Sequence, residues 1–219
     1  MSAPRLPYRD RSHAGRVLAE HLTRYRDAQG LLVLGLPRGG VPVAHEVAQA
    51  LAAPLDVFVV RKLGYPGHEE YAIGAIAAGG VRIMKVPPGL QLSPDAVEKV
   101  AAREQVELER REALFRGQAP PLQVEGRTVI LVDDGLATGA TMEAAALALR
   151  RMGPRYLCMA VPVGAREGCE GLRAHADELV CPAQPEPFRA VSLWYQDFPQ
   201  TGDAQVRQLL ALHQRPVAA

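Results

Sequence analysis

The sequence predicts an α/β fold in which a parallel sheet is flanked by helices, and two observations carry that prediction. Hydrophobic periodicity switches repeatedly between short, wholly apolar runs and longer stretches with helical spacing, the alternation produced by parallel strands joined through helical crossovers. One apolar run, TVILV at 128–132, leads straight into two acids and a Gly/Thr-rich turn, DDGLATGATM, that opens a helix. With 219 residues, 48% of them hydrophobic, the chain can bury a sizeable core as one domain.

The elements follow in order. An amphipathic stretch at 9–29 places Val17, Leu18, Leu22 and Tyr25 at helical spacing and stops at Gly30. LLVLGL (31–36) is a buried-strand run, PRGG turns, and 41–51 is the first crossover helix. A second buried strand is expected at 56–60. Residues 63–80 are rich in glycine with a Tyr65-Pro66-Gly67 turn, and 81–86 alternates, so this section reads as a flexible loop with a small hairpin attached. From 93 to 116 there is no glycine, Ser93 is a candidate cap, and Glu and Arg recur at i,i+4 offsets. That is a long, solvated helix whose thin stripe of Val97, Val100, Ala101, Leu108, Leu114 and Phe115 suits a sheet or a subunit partner, and it leaves a homodimer open. Strands are expected at 128–132, 156–161 and 178–181, with helices at 139–152 and 166–176. The core thus spans about 9–181. The tail, 182–219, opens with Pro182, Pro185 and Pro187, gathers Phe188, Trp194, Tyr195 and Phe198, and ends in a helix near 203–213. It reads as a small C-terminal hood on the same single domain.

Composition removes several classes. Twenty-five Lys and Arg against 24 Asp and Glu give a net charge of +1, which speaks against a nucleic-acid partner. No apolar stretch approaches the roughly 18 residues of a membrane helix, and the N-terminus has no apolar leader segment, so the expectation is a cytoplasmic protein with no membrane partner. Cys158, Cys169 and Cys181 match neither a disulfide framework nor a metal knuckle and read as small buried hydrophobes. Only Lys62, Lys85 and Lys99 are lysines, and asparagine is absent. Codon usage and avoidance of thermolabile amides both account for that bias.

The motif at 128–142 carries the chemistry. Parallel sheets bind ligands beyond the carboxyl ends of their strands, and a helix N-terminus offers unpaired N–H groups and a positive dipole end to a phosphate. Gly139 permits close backbone approach, and Thr138 and Thr141 add hydroxyls. A carboxylate pair would repel a phosphate, so Asp133 and Asp134 are expected to face a neutral polyol or a metal ion beside it. Together these features suggest a sugar phosphate. Competing motifs fail on spacing: Ala140 stands where an ATP-binding loop needs lysine, and Gly35-Leu36-Pro37-Arg38-Gly39-Gly40 lacks the dinucleotide-binding pattern.

Four apolar residues, two acids, two further residues and A-T-G-A-T resemble the phosphoribosyl diphosphate motif of type I phosphoribosyltransferases, a family with a Rossmann-like sheet. GLPRGG resembles that family's diphosphate loop, and VVRKLGYPGHEEYAIG its second strand and catalytic flexible loop. Within that family the chain is similar to the bacterial stand-alone phosphoribosyltransferase-like proteins. The resemblance implies that Asp133 and Asp134 hold the ribose hydroxyls and that Ala137, Thr138, Gly139, Ala140 and Thr141 bind the 5-phosphate. It places Arg38, Gly39 and Gly40 at the diphosphate, with Arg61 and Lys62 as its charge clamp and a cis peptide near Pro37, Arg38 or Gly39. The implied reaction is displacement of diphosphate from C1 of the ribose by a nitrogenous base, of the nucleotide-salvage type. Mg²⁺ would be held mostly by substrate and water, with few protein ligands, Asp133 being the candidate among them. A lid over the site would exclude water, and Glu69 and Glu70 within it are candidates for supporting proton transfer.

The pattern also departs from the family. Relatives that use 6-oxopurines commonly carry aspartate where this chain has Ala137, which argues against such a base; R-K-x-G and a later tyrosine are more similar to adenine-specific members. Trp194 and Tyr195 could stack on a planar base, with Asp197 at its edge, or clasp the hood to the sheet. A second functional class keeps the ligand site without catalysis, as a regulatory protein that binds phosphoribosyl diphosphate or a nucleotide. The flexible-loop signature and Lys62 favour the enzyme.

Overall fold

A computed structural model describes residues 4–65, 68–86 and 93–213. Five parallel strands form the central sheet: β1 (Leu31–Gly35), β2 (Leu55–Val57), β6 (Thr128–Val132), β7 (Tyr156–Ala160) and β8 (Glu178–Val180), in the order β2-β1-β6-β7-β8. Both faces are covered, so β1, β6 apart from Thr128, and most of β7 are apolar, and nearly all of these residues are buried. Alternation decides which side chain faces which layer. Val33, Ile130, Val132 and Ala160 pack on α1 (Arg11–Glu20), α2 (Gly40–Ala50), α3 (Pro94–Arg116) and α6 (Asp203–Ala211). Leu32, Leu34, Val129, Leu131 and Met159 pack on α4 (Ala140–Arg151) and α5 (Arg166–Leu172).

The strand order fixes where a ligand can sit. From β1 the chain moves outward to β2, whereas from β6 it moves the other way to β7 and β8, so the order reverses between β1 and β6. In open α/β sheets that switch point leaves a crevice at the carboxyl ends of the strands. The turns after β1 and after β6 are its two walls.

Residues 63–65 and 68–80 extend the hairpin that the sequence expectation attached to a loop. Instead of a loop, they continue β3 (Val60–Tyr65), form β4 (His68–Ala77), and pair with β5 (Val81–Met84) in an antiparallel sheet of order β3-β4-β5. Gly74 explains the difference: a Cβ there would lie 2.3 Å from the Ile83 carbonyl oxygen, so the glycine marks close approach of a neighbouring strand. α3 follows the predicted bounds, with Val97, Ala101, Leu108 and Phe115 buried, but the Ser93 side chain makes no capping bond.

The hood also differs in composition. The N-terminal segment joins it: Tyr8 N–H donates to the Trp194 carbonyl (2.8 Å), and Gln196 N–H donates to the Tyr8 carbonyl (2.8 Å). Tyr8, Ala14, Val163, Ala183 and Tyr195 form its apolar centre, while α6 turns back onto α2 and α3. Cys158 and Cys169 are buried and Cys181 half-buried, all as free thiols. No helix among the described residues is long and apolar enough to cross a membrane.

Candidate active site

The acidic pair sits where β6 ends, at the switch point. Asp133 Oδ1 accepts from the Asp134 backbone N–H (2.9 Å), which turns the first carboxylate back over the strand end. Burial raises the pKa of both carboxyls, most strongly at Asp133, where the neighbouring Asp134 charge adds to the effect. At Asp134 an ion pair opposes it: Arg11 Nε lies 2.8 Å from Oδ2. Arg11 is half-buried itself, donates to the Pro199 carbonyl (2.6 Å), and lays its guanidinium 3.7 Å from the Phe198 ring centroid. The Tyr195 hydroxyl donates to the Asp134 carbonyl, so the hood holds the backbone of this residue directly and its side chain through Arg11.

The turn after β1 meets the acids directly. A Cβ on Gly39 would lie 2.1 Å from Asp134 Oδ2, and one on Gly40 would lie 2.7 Å from the Val132 carbonyl oxygen. Glycine is required at both places by that approach. The Pro37–Arg38 peptide is cis, within the turn where the sequence reading expected one. Arg38 faces Asp203 at 3.6 Å, a loose and exposed pair.

On the other side of the acids, residues 135–142 line a cavity of about 200 Å³ together with Asp133 and Val191. Gly139 has φ +78°, a left-handed conformation that reverses the chain into α4 and aims its first-turn N–H groups into this space. α5 supports the turn from behind, since a Cβ on Gly168 would lie 2.3 Å from the Ala137 carbonyl oxygen. Ala137, Thr138 and Thr141 are exposed to the cavity mouth.

The remaining predicted residues divide. Arg61, Lys62 and Thr141 line one cavity of about 300 Å³, so β3 does bring the basic pair to the loop. Lys62 is exposed, whereas Arg61 gives both Nε (2.9 Å) and an Nη (2.7 Å) to Glu104 of α3. Arg61 is therefore engaged by a buried carboxylate, while still lining the cavity it shares with Lys62. Glu69 and Glu70 lie on β4, and their side chains are outside the described residues. Tyr195 is buried and packs between Tyr8 and Phe198, and Trp194 packs on Phe188. Both rings thus make clasping contacts within the hood, and those of Tyr195 cover its ring. Asp197 is exposed and lines a separate cavity beside Arg11 and Pro42. Among the described residues no group of three or more His, Cys, Asp or Glu could cage a metal ion.

Sequence reasoning missed Arg11, the Tyr195–Asp134 bond and Gly168. A glycine inside a short predicted helix was a usable signal for Gly168. Arg11 carried none, being 123 positions from its partner.

Comparison with known proteins agrees with this geometry. Residues 11–193 match the family model described as a phosphoribosyl transferase domain. A Mycobacterium tuberculosis (strain H37Rv) protein named putative phosphoribosyl transferase is 45% identical over 199 residues, covering 90% of this chain and 45% of its own. The chain thus spans about half the length of the curated relatives it first matches. A Corynebacterium glutamicum protein, named bifunctional protein PyrR, is 30% identical over 139 residues, 63% of this chain and 55% of that one. The crystal structure of TT1426 from Thermus thermophilus superposes with a TM-score of 0.84 at 44% identity, over 94% of this chain and 98% of that one. A strand-ending acidic pair between two glycine turns, on a sheet of this order and with these relatives, has one family reading: the chain belongs to the phosphoribosyl transferase domain family.

Proposed function

We propose that this chain transfers a 5-phosphoribosyl group from phosphoribosyl diphosphate to a nitrogenous base, releasing diphosphate. The observation that carries the reading is the position of Asp133 and Asp134 between two different glycine-containing turns, 38–40 on one side and 137–141 on the other. A donor with phosphates at both ends and hydroxyls between them matches that sequence of groups. The 5-phosphate would take the first-turn N–H groups of α4, and Asp133 and Asp134 would accept from the ribose hydroxyls. The diphosphate would then lie toward Arg38, Gly39 and Gly40, within reach of Lys62.

In the reaction the C1–oxygen bond to diphosphate breaks and a ring nitrogen of the base bonds to C1 through an oxocarbenium-like state. Positioning and fixed charge supply most of the rate. The hard oxygens of Asp133 fit Mg²⁺, and since the described residues offer no cage, the other ligands would be donor oxygens and water. When bound, the ion neutralises the leaving diphosphate. β3 and β4 would supply the cover that keeps water from C1, with Glu69 and Glu70 as the groups supporting proton transfer. Ala137 offers no carboxylate to a base, which disfavours 6-oxopurines as acceptors.

The test combines purified protein, phosphoribosyl diphosphate, Mg²⁺ and a panel of bases, and measures diphosphate release. Turnover with at least one base is expected. Micromolar donor binding without turnover on any base would replace this reading with that of a regulatory protein.

A further inference from the structure

We propose that Arg11 is a positioning residue for the donor site, fixing the Asp134 carboxylate that would receive the ribose and tying it to the hood. This rests on the donor reading of the acidic pair given above. Three contacts leave the guanidinium one orientation: Nε on Asp134 Oδ2 (2.8 Å), Nη1 on the Pro199 carbonyl (2.6 Å), and its face 3.7 Å from the centre of the Phe198 ring. An aspartate at a strand end would otherwise sample several side-chain rotamers, and each wrong one must be given up when ligand binds. Here the selected rotamer also places Oδ2 against the open face of Gly39, in the turn assigned to the diphosphate.

Charge gives Arg11 a second effect in the same direction. Two adjacent carboxylates repel a polyanionic donor, and the Arg11 cation offsets one of them without occupying the cavity at 135–142, which it does not line. Lysine would keep that charge but lose the planar fork and the stacked face, so the two effects can be separated by substitution. The hood is included because Phe198 and Pro199, which hold the guanidinium, sit beside Tyr195, which holds the Asp134 carbonyl.

The experiment measures binding of phosphoribosyl diphosphate by titration calorimetry, and the KM for donor against kcat, in wild type, Arg11→Gln, Arg11→Lys and Phe198→Leu, all well below their melting temperatures. Loss of a charge-assisted contact corresponds to about 10- to 100-fold in affinity, so Arg11→Gln is expected to raise donor Kd and KM by that factor with a much smaller fall in kcat. Arg11→Lys is expected to recover part of the loss. Phe198→Leu keeps the ion pair but frees the guanidinium, and is expected to weaken binding by about 3-fold in the same direction. It also serves as the test if Arg11→Gln does not fold. Donor affinity equal to wild type in the folded variants would make Arg11 a purely structural residue and leave the donor reading standing. A wild-type protein that binds no donor would overturn the donor reading, and this proposal with it.

Discussion

Gly39 and Asp134 touch across the switch point: a Cβ built on Gly39 would lie 2.1 Å from Asp134 Oδ2, the same oxygen that Arg11 holds. Gly39→Ala therefore forces either the carboxylate off Arg11 or the turn away from β6. Inserting a methyl group into a filled site costs about 1–3 kcal/mol. In a chain of this size each kcal/mol lowers Tm by about 2–4 °C. Donor affinity is expected to fall at least about 10-fold, because the displaced group is the one proposed to receive the ribose. A Gly39→Ala variant with wild-type Tm and wild-type donor titration would show that the turn and the acid do not act together.

The two acids make stability depend on pH in a defined direction. Their folded pKa values are raised, so the native state has its full stability below the unfolded value of about 4 and loses some as pH rises through the folded values. Asp133→Asn removes the larger of these effects while its side-chain carbonyl can still accept from the Asp134 N–H. In metal-free buffer the variant is expected to melt above wild type at pH 8, with the difference vanishing toward pH 4, and to bind no donor. A Tm difference that is constant across the pH range would remove burial as the cause.

Arg61 and Lys62 are adjacent in sequence but are expected to fail in opposite ways. Arg61→Ala strips two hydrogen bonds from the buried Glu104 carboxylate, a loss of about 1–3 kcal/mol that thermal denaturation would register. Lys62 is exposed, and truncating an exposed residue usually changes stability by less than about 0.5 kcal/mol. Its loss is expected in turnover instead, by about 100-fold if it meets the leaving diphosphate. Lys62→Ala with unaltered diphosphate release would remove lysine from the site.

What the sequence revealed was local, and what it hid was distant. The strand, acids and glycine turn at 128–142 are contiguous, so their spacing alone set an acidic pair and a glycine turn at a strand end, and the largely apolar runs at 31–36 and 128–132 located the centre of the sheet. β3 and β4 were obscured because Gly64 and Gly74 imitate loop composition, although at Gly74 the missing side chain is what admits the β5 backbone. The hood was half legible. Its aromatics stood out as a cluster, but their partner segment lies at the other end of the chain, with Tyr8 and Arg11 reaching it only after folding. The engagement of Arg61 had the same cause, since Glu104 lies 43 residues away on a helix that pattern alone described as solvated.

Two glycines on α5 give a matched comparison for the turn at 137–141 and its proposed phosphate role. In a helix interior alanine is favoured over glycine by about 1 kcal/mol, so Gly→Ala stabilises wherever a Cβ has room. Gly171 has such room, with no atom within 4 Å of a built Cβ, whereas at Gly168 the Cβ would lie 2.3 Å from the Ala137 carbonyl oxygen and 2.5 Å from Leu136 Cδ2. Gly171→Ala is expected to raise Tm by about 2–4 °C and leave ligand binding as it was. Gly168→Ala is expected to lower Tm despite the better helix former and to push Ala137 into the cavity. Titration with ribose 5-phosphate would then show affinity reduced about 10-fold or more, since displacing positioning groups by even an ångström has effects of that order. If both variants stabilise equally and bind alike, α5 does not support the loop, and the cradle is set by Gly139 and α4 alone.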